Sequence, residues 1–149
     1  MLTRTDSANK DFKVLVAALD EELKIRDGDD HLFYAALNKT AILKHAVVAY
    51  ENGLPAGCGA VRVHSGSSME VKRMYVLPEK RGKGIASAIL RQLENWCLEL
   101  GADRCILETG RNQPEAIAMY KKSGYRIIPN YGKYAGAENS VCFEKILIS

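Results

Sequence analysis

The sequence predicts a mixed α/β domain, and three observations predict it. The hydrophobic period is helical from residue 12, turns to that of strands near residue 46, and becomes helical again at residue 85. A glycine-rich turn stands where the third of these strands runs into the clearest helix of the chain. The elements then follow the order strand, two helices, three strands, helix, strand, helix, two strands, which no all-α or all-β layer arrangement accommodates. A chain of 149 residues with 47% hydrophobic and 26% charged residues has the length and balance of one domain, taken as 1–149.

Each element has its own local reason. Leu2 to Thr5 forms a short strand. Phe12, Leu15, Val16, Leu19 and Leu23 recur at helical spacing, with a cap expected at Asp6 or Ser7 and an end at Gly28. His31 to Leu37 reads as a short second helix. Ala46–Tyr50 and Ala56–His64 flank Asn52-Gly53, the signature of an antiparallel hairpin, and Glu70–Leu77 is the next strand. Ile85, Ala86, Ile89, Leu90, Leu93, Trp96, Cys97 and Leu100 make one apolar helical face that Gly101 stops. Cys105–Thr109 is a strand, Pro114–Ser123 a helix with proline in its first turn, and Tyr125–Ile128 and Ser140–Ile148 are closing strands.

Composition excludes several function classes. A net charge of +3, scattered along the chain, does not make a nucleic-acid surface but suits an anionic ligand. Cys58, Cys97, Cys105 and Cys142 form no C-x-x-C pair, and His31, His45 and His64 have no metal-ligand spacing, so neither a disulfide framework nor a metal site is expected. No stretch reaches membrane-spanning length and the first residues lack an apolar leader, so a cytoplasmic location without membrane contact is expected.

The chemistry centres on Arg81-Gly82-Lys83-Gly84-Ile85-Ala86. Gly82 and Gly84 allow positive φ and close approach of a ligand to the backbone. The amides of a helix start and the positive end of its dipole form an anion site, beside which Arg81 and Lys83 add two cations. A pyrophosphate suits it. A Walker A string is absent. A dinucleotide fingerprint is nearly met by Gly82-x-Gly84-x-x-Ser87 with Glu108 ending the next strand, but the roughly forty residues beyond Glu108 do not supply the further parallel strands that fold requires.

This segment resembles the R/Q-x-x-G-x-G/A signature of the GNAT N-acetyltransferase superfamily. The resemblance runs from about Ala46 to Lys145 and includes Val71-Lys72-Arg73-Met74-Tyr75-Val76 and Ala116-x-x-x-Tyr120-x-x-x-Gly124-Tyr125. It implies a GNAT-like fold: a mixed central sheet of six to seven strands, splayed at the two central strands and flanked by about four helices. It implies acetyl-CoA as cosubstrate, its pyrophosphate held by the loop from Arg81 to Ala86 and its pantetheine arm paired along Met74, Tyr75 and Val76. Where many members place Asn seven residues before the tyrosine this chain has Gln113, with Asn112 one place early, and both stay open as cofactor-arm contacts.

Acyl transfer from a thioester to an amine needs a proton removed from the ammonium and one given to the leaving thiolate. The resemblance places Tyr120 beside the sulfur as the acid, and a phenol with an ordinary pKa of about 10 keeps its proton at neutral pH. It offers Glu70, eleven residues before Arg81, as the base. Ideal alternation puts Glu70, Lys72, Met74 and Val76 on one strand face. Glu108 is a further acidic candidate, and Cys97, on an apolar helix face, is a poor nucleophile. The acceptor pocket is expected from Asp27, Asp29, Asp30, Phe33 and Tyr34 together with the loop Pro129–Gly136. Small amine, amino acid, drug and protein lysine all remain open as acceptors, and a homodimer is compatible with the superfamily. A non-catalytic acyl-CoA-binding regulator would keep the same loop, but would need neither Tyr120 nor Glu70.

Overall fold

A computed structural model describes residues 1–27 and 42–147, with the side chains of residues 26 and 27 left aside. Seven strands form one sheet: β1 (Leu2–Thr5), β2 (His45–Glu51), β3 (Leu54–Ser65), β4 (Ser68–Val76), β5 (Arg104–Gly110), β6 (Arg126–Ile128) and β7 (Ser140–Ile146), in the order β1-β2-β3-β4-β5-β7-β6. The described helices are α1 (Lys10–Asp27), α2 (Ile85–Glu99) and α3 (Pro114–Lys122), with single 3₁₀ turns at Pro78–Lys80 and Gly132–Tyr134. The helix expected over His31–Leu37 lies outside the described residues, as do Gly28, Asp29, Asp30, Phe33 and Tyr34.

The cap of α1 differs from expectation. The Asn9 side chain accepts from the Phe12 amide at 2.9 Å, so Asn9 closes the first turn. Asp6 instead accepts from the Ala8 amide, and the Ser7 hydroxyl accepts from the Leu43 amide, both at 2.9 Å. Asp6, Ser7 and Asn9 are all cap-type residues; a local turn engages Asp6 and a tertiary contact engages Ser7, which leaves the cap to Asn9. Asn52 and Gly53, with φ of 53° and 79°, make the primed turn joining β2 to β3.

Two cores sandwich the sheet. Phe12, Leu15 and Leu19 of α1 pack on Ala46, Val48, Cys58, Ala60 and Tyr75. On the other face Ile89, Leu90, Leu93 and Cys97 of α2 pack on Val47, Val61, Val71, Val76, Cys105 and Leu107, and Tyr120 of α3 joins them. The sequence periods thus report real faces: strand residues alternate between the α1 core and the α2 core.

β4 breaks this alternation. Cys58 pairs with Tyr75 and Ala60 with Lys72, so Gly59 alone opposes both Arg73 and Met74. This is a β-bulge, and Arg73 carries its strained conformation at φ 59°. Before it, Met69 and Val71 face α2 while Glu70 and Lys72 face α1; after it, Met74 and Val76 face α2 and Tyr75 faces α1. The ideal alternation that grouped Glu70 and Lys72 with Met74 and Val76 is therefore corrected: the extra residue inverts the strand's sidedness midway.

β4 and β5 are parallel and pair only through Ser68–Arg104, Met69–Cys105 and Glu70–Ile106. β4 continues to Val76 and β5 to Gly110, so the two central strands separate beyond Glu70 and Ile106. This is the expected splay. It passes through the sheet from the α1 face to the α2 face.

Candidate active site

At the end of β4 the turn Pro78–Lys80 leads to Gly82 and Gly84, with φ of 81° and 82°, and Gly84 caps α2 without a side-chain bond. Among the described residues the amides from Gly82 to Ser87 have no backbone acceptor. A row of donors at the positive end of the best-formed helix is therefore presented outward. Past Glu70, the backbone edge of β4 is likewise without its β5 partner.

A cleft of about 470 Å³ runs from this loop along β4 and α3. Met74, Tyr75, Val76, Arg81, Gly82, Gly84, Ile85, Ala86 and Gln113 all line it, as do Leu19, Glu22 and Tyr120. Lys83 and Asn112 are not in the lining. The Lys83 ammonium, with that of Lys80, is bound to Glu51 at 3.1 and 2.7 Å. Arg81 acts as a tie: its Nε donates to the Val76 carbonyl at 2.9 Å, its guanidinium meets Glu22 of α1 at 2.8 Å, and it lies over the Tyr75 ring. The partner Glu22, 59 residues away, could not be read from the sequence.

A second, smaller cavity of about 110 Å³ occupies the splay itself, lined by Glu70, Lys72, Arg73, Met74, Glu108, Gln113, Tyr120 and Tyr134 among others. Met74, Gln113, Ala116, Leu19 and Tyr120 line both openings, so the two meet at the splay. Tyr120 is buried among Tyr125 and Phe143, and no described residue hydrogen-bonds its hydroxyl. Burial first, and Glu108 second, push its phenol above the ordinary range, so it holds its proton firmly.

Glu70 is 1% exposed on the α1 side of this cavity. Arg62 donates to its Oε1 at 2.9 and 3.0 Å, and the Tyr131 hydroxyl donates to its Oε2 at 2.7 Å. Glu108 accepts from the Ser140 hydroxyl at 2.8 Å. Lys72 is buried beneath Tyr134, donating to its hydroxyl at 3.2 Å, and burial lowers its pKa. Lys72 went unnoticed as a site residue in the sequence. The bulge did leave a trace there, because the apolar positions slip from Met69 and Val71 to Met74 and Val76. Cys97 and Cys105 are fully buried, 3.7 Å apart, and line neither cavity.

Among the described residues no helix is long and apolar enough to cross a membrane, and no three His, Cys, Asp or Glu residues are grouped to hold a metal.

The profile of the family described as "Acetyltransferase (GNAT) family" matches residues 12–125. The chain belongs to that family. This acetyltransferase is similar to an IAA acetyltransferase of Azospirillum brasilense, 36% identical over 102 residues that span 68% of this chain and 67% of the relative. A solved structure of a candidate acyl-CoA N-acyltransferase from Klebsiella pneumoniae is 30% identical, covers 99% of both chains and superposes with a TM-score of 0.81. A PaiA N-acetyltransferase from Thermoplasma acidophilum, crystallised with coenzyme A, shares the fold at a TM-score of 0.70 and 17% identity, covering 98% of this chain and 99% of its own. The acetyltransferase is thus an N-acyl-transferring enzyme on the GNAT fold, with the sheet and splay described above.

Proposed function

We propose that the acetyltransferase moves the acetyl group of acetyl-CoA directly onto a primary amine, with Tyr120 as the general acid. One observation carries this reading: Tyr120 lines both the long cleft that ends on the helix-start amides and the small cavity between Glu70 and Glu108. A diphosphate with an extended arm fits such a cleft. The amides and Lys80 provide the anion site, and the edge of β4 from which β5 has parted offers backbone partners to an amide-bearing arm. When bound, the thioester supplies an activated acetyl carbon. It would lie where the two openings meet, beside Tyr120.

The chain's own residues then have separate tasks. Tyr120 protonates the departing sulfur as the new C–N bond forms and the C–S bond breaks. The α1 side of the splay receives the amine, whose excess proton goes to a carboxylate. Glu70 is the base that the family resemblance implies, and its Oε2 keeps a lone pair beyond the one Tyr131 uses. A second reading, Glu108 as base, is favoured by one observation: Glu108 lines the same small cavity as Tyr120 and is the carboxylate that adds to the rise of its phenol.

Calorimetric titration with acetyl-CoA and desulfo-CoA tests the cleft. Micromolar binding of both is expected, and no binding of either would refute the reading. Glu70→Gln and Glu108→Gln assign the base, since kcat should fall by about 10²-fold in whichever variant removes it.

A further inference from the structure

The charges on the acceptor side of the splay are arranged in opposed pairs. The β4–β5 ladder ends at Glu70 and Ile106, so Lys72 and Glu108 occupy the next same-face step of that register, where the strands have just separated. Both line the small cavity, a cation on one wall and an anion on the other. We propose that Lys72 and Glu108 clamp a zwitterionic acceptor, an α-amino carboxylate such as a free amino acid. Its ammonium would lie at Glu108 and its carboxylate at Lys72 and the Tyr134 hydroxyl. The proposal rests on the acetyl-transfer reading and names its acceptor class.

Charge balance selects this class. Among the described residues the charges around the cavity balance, Glu70 and Glu108 against Arg62 and Lys72, and Arg73 against Asp20 at 2.8 Å. A simple amine or a polyamine would add uncompensated positive charge to a poorly solvated cavity, whereas a zwitterion adds none. Polarity also matches the chemistry. Glu108 is the carboxylate that influences Tyr120, so an ammonium held there is close to the group that serves the leaving sulfur. Lys72, on β4, is already joined to the Tyr134 hydroxyl at 3.2 Å, a preformed pair of donors for a carboxylate. A cavity of about 110 Å³ admits a small head group and leaves the rest of the acceptor outside.

The test is thiol release from acetyl-CoA with the L-amino acids, their methyl esters and their decarboxylated amines, using wild type, Lys72→Met and Lys72→Arg. Wild type should prefer at least one amino acid to its ester and amine by about 100-fold, the scale of losing one buried ionic contact. Lys72→Met should abolish that preference, mainly through KM, and Lys72→Arg should restore part of it. Saturation-transfer NMR with desulfo-CoA present gives the same ranking without turnover. Acetyl-CoA binding by each variant shows that it is folded. A preference for esters, amines or polyamines, or a preference unchanged in Lys72→Met, overturns the clamp alone. Absence of acetyl-CoA binding by wild type removes the underlying reading as well.

Discussion

The Cys58 thiol donates to the Arg73 carbonyl at 3.4 Å, and Arg73 is the residue whose φ of 59° inverts the sidedness of β4. This contact fixes the bulge from the neighbouring strand. It explains how one strand sends Glu70 and Lys72 to the α1 face and Met74 and Val76 to the α2 face. The bulge is thus the local device that makes a two-faced site at the splay.

A left-handed conformation suits glycine better than any residue with a Cβ. Arg73→Ala loses the ion pair to Asp20 and keeps the strain, whereas Arg73→Gly loses the pair and relieves the strain. The glycine variant should therefore be the more stable of the two by about 1 kcal/mol, read by urea denaturation. An alanine variant as stable as the glycine variant would contradict the strained bulge.

Gly57 lies where β3 passes under α2. A Cβ there would stand 2.8 Å from the Tyr75 carbonyl oxygen, 3.0 Å from Val76 and 3.1 Å from Ile89. The oxygen belongs to the backbone and cannot rotate away. Gly57→Ala should cost about 1–3 kcal/mol in thermal unfolding. It should also weaken acetyl-CoA binding, because the displaced segment, Tyr75–Val76, lines the long cleft.

Tyr125 has a different task from Tyr120, although both belong to the same short run. Its hydroxyl donates to buried Glu94 at 2.8 Å, and Lys145 meets the other Glu94 oxygen at 3.0 Å. Tyr125→Phe should lower stability by about 1–3 kcal/mol, since Glu94 loses a donor. Its kcat should stay within about twofold of wild type, because that hydroxyl is engaged by Glu94 and Tyr125 lines neither opening.

Tyr120→Phe should instead leave the fold intact and reduce kcat by about 10²-fold with little change in the KM for acetyl-CoA. Burial holds the Tyr120 proton to a higher pH than an ordinary phenol does. Deprotonation of this acid should therefore produce no fall in rate up to about pH 10. A descending limb near pH 8 that disappears in Tyr120→Phe would contradict that assignment.

The strand and helix order was legible because each element carries its own period and punctuation, and the Arg81–Ala86 turn was legible because its glycines and the helix start are local features. What lay hidden depends on distant partners. The bulge needs Gly59 and Cys58 opposite Arg73. The anchoring of Arg81 needs Glu22, and the neutralisation of Glu70 needs Arg62 on β3. Lys72 reads in the sequence as one more surface lysine, and its place in the site emerges only when β5 supplies Glu108 and the loop before β7 supplies Tyr134. Gln113 could not be separated from Asn112 by spacing; the geometry of the α3 start turns Gln113 into the cleft.

The central claim is that acyl transfer takes place where the two openings meet at Tyr120. Thiol release from acetyl-CoA, followed across a panel of primary amines with wild type and Tyr120→Phe, tests it most directly. The account predicts turnover on at least one amine by wild type and a loss of about two orders of magnitude in kcat for the variant. Equal rates for the two proteins, or acetyl-CoA binding with no turnover on any amine, would contradict it.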